Sequence, residues 1–115
     1  MTLTNFEQRE LLQALSSTQV LRRMPPGYNK LHIEMLRDKV RICADEKKAL
    51  PAWVMKSVLP VLELHIDMVR QLQLQAREDG DGLDKPNLYS AMEHAYKLRV
   101  RKLRELKNRI YASNK

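Results

Sequence analysis

Projected at the helical period of about 100° per residue, the last stretch of the chain brings Lys97, Arg101 and Arg104 together, with Lys102 and Arg109 on one flank. Closely spaced cations on one helix face match the spacing of backbone phosphates, and each phosphate they neutralise releases condensed counterions. Residues 97–115 hold eight Lys/Arg against a single acid, Glu105, so the formal charge of the whole chain, +7, sits in this segment. Tyr96 and Tyr111 lie in the same stretch, where a phenol ring offers an apolar body for stacking on bases and a polar tip. The pattern also fits a solvated basic helix end, which the helix dipole favours, an acidic protein groove or an anionic membrane surface.

Arg99 is the exception among these cations. It falls within the apolar stripe of Met92, Tyr96, Leu103 and Ile110, while Leu98 falls on the basic side. A buried lone guanidinium is costly, so Arg99 is expected to pair with an acid, to snorkel or to lie at an interface. Trp53, Leu62 and Ile66 are the other candidate interface residues, on a helix rich in apolar side chains.

Other chemistry-bearing residues suggest no reaction. His32, His65 and His94 share no ligand spacing with one another or with Cys43, and His65 projects onto an apolar face, as a hydrogen-bonded core histidine does. The acidic stretch Asp79-Gly80-Asp81-Gly82-Leu83-Asp84 fails as a calcium loop: counted from Asp79, the fifth place is Leu83, the glycine place is Asp84 and the twelfth is Ser90. Cys43 beside Val40 and Ala44 behaves as a small hydrophobe. No Gly-rich phosphate loop, nucleophile elbow or HExxH run occurs, so neither metal, cofactor nor enzymatic activity is expected.

The elements that must carry these residues read as helices throughout. Thr4-Asn5-Phe6-Glu7 fits a capping box opening a first helix that Ser16-Ser17 end or loosen, with Val20 and Leu21 in a further turn. Met24-Pro25-Pro26-Gly27 breaks the chain. A second helix spans about 29–49, its apolar residues spread over more than half the circumference, which predicts neighbours on two sides. Pro51 suits the first position of the next helix, and Pro60 either kinks it or divides it in two. Asp84 or Asn87 can cap the basic C-terminal helix, which runs from about 87 to 112.

Composition agrees. The 115 residues are 43% hydrophobic and 30% charged with only three glycines, and straight-chain residues dominate. The class is all-α: one domain, 1–115, a compact bundle of four to five helices, expected to self-associate because few elements are available to cover its apolar faces. A single cysteine makes an intrachain disulfide impossible and a reducing compartment the default. MTLTNFEQRE has neither a basic segment nor an apolar run, so no secretory leader is expected. The apolar stretch 50–74 is interrupted by Lys56, Glu63, His65, Asp67 and Arg70, so no membrane span is expected. A cytoplasmic protein follows, or a nuclear one in a eukaryotic source.

One layout resembles a known family. Leu11 through Met24-Pro25-Pro26-Gly27-Tyr28 leads to a long charged helix, followed by Leu88-Tyr89 and Tyr96-Lys97-x-Arg99-x-x-Lys102-Leu103. This resembles the helical domain of GINS replication-complex subunits over about a third of the chain, and 51–74 does not align with it. No residue role is carried over. The reading is a small non-enzymatic accessory protein binding DNA or RNA through phosphates. The alternative is a helical protein–protein adaptor or inhibitor docking on an acidic partner, and the resemblance would imply a GINS-like replication-complex component.

Overall fold

The computed structural model describes residues 2–80 and 86–113, side chains of 79–90 excepted. Five helices occur among them, and no strand: α1 (Asn5–Ser16), α2 (Thr18–Arg22), α3 (Lys30–Asp45), α4 (Ala52–Gly80) and α5 (Pro86–Ser113). Residues 81–85, Asp84 among them, and the side chains of 79–90, that of Tyr89 included, lie outside the described residues, and Asn87 falls inside α5 instead of at its cap.

Local chemistry explains most boundaries. Thr4 closes the capping box on α1: its Oγ1 accepts from the Glu7 backbone N–H at 3.2 Å, and its own N–H donates to the Glu7 carboxylate at 2.9 Å. Ser17 both ends α1 and begins α2, its backbone N–H reaching Ala14 and its hydroxyl accepting from Val20. Gly27 takes φ 104°, a left-handed conformation open to glycine, and turns the chain into α3. Asn29 caps α3 by accepting from the His32 N–H at 2.8 Å.

Two boundaries differ from the sequence expectation, and the choice left open at Pro60 falls to a single helix. α3 ends at Asp45, not near residue 49, because Lys47 adopts φ 54° and the chain folds back. The Lys48 N–H reaches the Cys43 carbonyl at 2.8 Å and the Lys47 N–H reaches Ala44 at 3.2 Å, the two bonds of a Schellman cap. A lysine occupies the place usually given to glycine, so composition gave no sign of it. Pro51 precedes α4, its carbonyl accepting from the Val54 and Met55 N–H groups. Pro60 lies inside α4 without ending it. The hydrogen bond it omits falls on the carbonyl of exposed Lys56, while fully buried Val58, Val61 and Leu62 hold the flanking turns.

α4 and α5 pack antiparallel along their lengths and set the long axis of a body measuring 48 × 28 × 26 Å. α1–α3 cover one end of this pair. The core there joins Leu11, Leu15, Val20, Leu36 and Val40 to Val54, Val58, Leu62, Leu103 and Leu106. The pair continues past this core, where Leu72, Leu74, Met92 and Leu98 are exposed. Leu62 and Ile66 are buried in the chain's own core and offer no surface to a partner, whereas Trp53 is 43% exposed. Among the described residues no helix is long and apolar enough to cross a membrane.

The left-handed Lys47 gives a direct check. Lys47→Gly removes the Cβ penalty while keeping both cap bonds, so unfolding free energy in urea should rise by about 1 kcal/mol. An unchanged or lowered value would contradict the cap geometry.

Candidate functional site

Apart from Lys107, the described cations of α5 divide into two sets, one facing α1 and one facing away from it. The first set faces α1. Arg99 donates from Nε to Glu10 Oε1 at 2.6 Å, from one Nη to Glu10 Oε2 at 2.9 Å, and from the same Nη to Gln13 at 2.9 Å. Arg109 donates to the Glu7 carboxylate, and the Lys102 ammonium sits 5.1 Å from the centre of the Phe6 ring. Glu7 and Glu10 are only 5% and 6% exposed. They are reachable because α1 places them one turn apart on the face that meets α5.

Glu10 carries a third bond. His65 Nε2, on α4, lies 2.7 Å from Glu10 Oε2. An ionised carboxylate only accepts, so Nε2 is the donor of this bond. His65 Nδ1 is buried without a hydrogen-bond partner among the described residues. Burial alone would raise the Glu10 carboxyl, but the hydrogen bonds from His65 and Arg99, with the charges behind them, outweigh it and hold the group below its usual 4.5.

The second set faces away from α1. Lys97, Arg101 and Arg104 line a groove of about 650 Å³ between α5 and α4, joined by Arg70 and Gln73 from α4 and by His94 and Asn108. Four cations meet one acid there, Glu105, which approaches Arg101 at 3.7 Å with both side chains largely exposed. Such a solvated pair contributes little. Lys107, by contrast, is turned to the neighbouring helix, 3.1 Å from Glu63.

The structure therefore brings Lys97, Arg101 and Arg104 together and sets Lys102 and Arg109 apart from them, on the α1 side. Arg99 is taken up within the chain rather than at an interface between chains. Tyr96 is half-buried against the core, and Tyr111 is 60% exposed near the C-terminal end of α5. Sequence reasoning missed Arg70, His94, Gln73 and Asn108. His94 and Asn108 lie seven residues either side of Arg101, so they were legible as one face. Arg70 needed the antiparallel pairing of α4 with α5. No three His, Cys, Asp or Glu side chains converge on a common metal position among the described residues.

Comparison with protein-family models, curated proteins and solved structures finds no match. The resemblance to GINS helical domains rests on the residues quoted for it.

The Glu10 cluster predicts a stability loss with a defined pH signature. Glu10→Ala leaves Arg99 and His65 without their acceptor and should cost about 3–5 kcal/mol in urea unfolding at pH 7. Because the folded carboxyl ionises below its unfolded value, its stabilisation is complete above about pH 4.5 and is lost as pH falls through the folded pKa. Glu10→Gln should flatten that acid limb. A variant as stable as the parent, with the same acid limb, would contradict the cluster.

Proposed function

We propose that the chain is a small non-enzymatic nucleic-acid-binding accessory protein whose groove between α4 and α5 holds a phosphate backbone. The observation that carries this reading is the convergence of Lys97, Arg101, Arg104 and Arg70 on one groove with a single, loosely engaged acid. Four cations projecting from two rigid helices suit a row of phosphates, and their donors carry no base information, so sequence preference would be weak. Gln73 and Asn108 add neutral donors to the same lining. Tyr111 is exposed on the same helix and is the candidate for base stacking.

The proposal includes self-association, which would present two such grooves to one polyanion and raise avidity. It also places the chain in the cytoplasm, or in the nucleus of a eukaryote. A second reading, an adaptor docking on an acidic protein segment, draws on one specific feature. Leu98 is 43% exposed within the basic lining, where an amphipathic acidic helix would cover it.

A salt titration with a duplex DNA and a single-stranded RNA tests the leading reading. With four phosphate contacts, log K for duplex should fall against log salt with a slope of about −3.5, and Arg101→Glu with Arg104→Glu should reduce that slope by about 2. Both substitutions are at exposed sites, so the thermal midpoint should hold. Binding indifferent to salt, or none at low salt, overturns the proposal. Stoichiometric capture of an acidic protein, without retained nucleic acid, would support the second reading instead.

A further inference from the structure

α3 is apolar on two opposite sides. Ile33, Leu36, Val40 and Cys43 are buried against the rest of the chain. Leu31, Met35 and Ile42 point the other way and are 68%, 46% and 47% exposed. Spaced as i, i+4 and i+11, these three form one stripe. Beside the stripe Glu34, Arg37, Asp38 and Arg41 line a shallow hollow of about 270 Å³. None of the four, nor Lys30 or Asp45 at the ends of the helix, forms an ion pair within the chain among the described residues. Within the helix Glu34 and Asp38 are like-charged i, i+4 neighbours, as are Arg37 and Arg41, while Lys30–Glu34 and Arg41–Asp45 are of opposite sign, so this flank carries both signs in a row.

Deepening the self-association included above, and resting on it, we infer that this face of α3 docks on the same face of a second copy, antiparallel, about a two-fold axis passing between Arg37 and Asp38. The charges select this partner. That axis sets Lys30 opposite Asp45 of the second copy, Glu34 opposite its Arg41, and Arg37 opposite its Asp38. Every pair is of opposite sign, and symmetry makes each twice. A two-fold axis perpendicular to both helices also keeps each flank against its own copy, so charge meets charge on one flank and the apolar stripes meet on the other. There, Ile42 of one copy falls at the height of the notch between Leu31 and Met35 of the other, as a knob enters a hole. A single crossing of two short helices buries less than a standard interface, so the dimer is a weak one.

The test uses the full chain in sedimentation equilibrium at loading concentrations from about 10 µM to about 1 mM, the range in which so small an interface assembles. Two charge-reversed variants are compared: one carries Glu34→Lys and Asp38→Lys, the other Arg37→Glu and Arg41→Glu. The parent should form a concentration-dependent dimer. Each variant alone should dimerise at least about a hundredfold more weakly, since like charges then face each other, and an equimolar mixture should recover the parent's dimerisation. The altered side chains are exposed or half-buried and none belongs to the core, so helical circular dichroism should be unchanged. A parent that stays monomeric throughout removes self-association itself. Variants that dimerise like the parent leave self-association standing but overturn this face as its site. Weak variants whose mixture stays monomeric overturn the antiparallel pairing. None of these outcomes touches the α4–α5 groove, whose residues are unchanged.

Discussion

The carboxylate of Glu10 accepts from Arg99 through two bonds and from His65 through one, and in doing so ties α1, α5 and α4 together. Two of these contacts span 55 and 89 residues of sequence. Taking three polar groups out of water opposes the attraction between them, so such a cluster adds little net stability compared with an apolar trio of similar volume. What it fixes is position. A helix held only by Leu11, Ala14 and Leu15 could slide or rotate on its apolar face. A bidentate guanidinium and an imidazole converging on one carboxylate allow a single arrangement.

That arrangement decides what α5 offers to the outside. From Lys97 onward the helix carries cations on more than one side, and α1 brings two buried acids to meet it, Glu7 and Glu10. Arg99 and Arg109 are consumed by these carboxylates, and Lys102 is drawn over Phe6. Lys97, Arg101 and Arg104 emerge on the far side, where α4 contributes Arg70 and no acid to the lining. The apolar ridge of Leu103, Leu106 and Ile110 separates the two sets and is buried throughout. One helix thus serves as structural partner on one flank and as charged surface on the other, and the buried acids of α1 set the division.

Much of this was legible beforehand, and the remainder was not for identifiable reasons. The all-α class, the Thr4–Glu7 cap, the corner at Gly27 and the anomaly of Arg99 all follow from local pattern, because each depends on residues within a turn or two. A lone cation in an apolar stripe had to pair with an acid, snorkel or lie at an interface, and periodicity located the cation without choosing among these or naming Glu10. Glu10 meets Arg99, and His65 meets Glu10, only through tertiary packing. The early end of α3 escaped notice because Lys47 holds a conformation that composition associates with glycine. Pro60 left a kinked helix and a divided one both open, and the undivided α4 shows itself only with the buried residues around it in place. Treating all five α5 cations as one surface overlooked that a helix presents its flanks to different neighbours, which only the placement of α1 reveals.

The division of the α5 cations is open to direct observation by heteronuclear NMR of the arginine Nε–H groups during titration with a short oligonucleotide. The account predicts that the Arg99 Nε–H, bonded to Glu10, exchanges slowly with water and keeps its resonance, while those of Arg70, Arg101 and Arg104 shift together as ligand is added. Movement of the Arg99 resonance with ligand, while the groove arginines stay still, would contradict it.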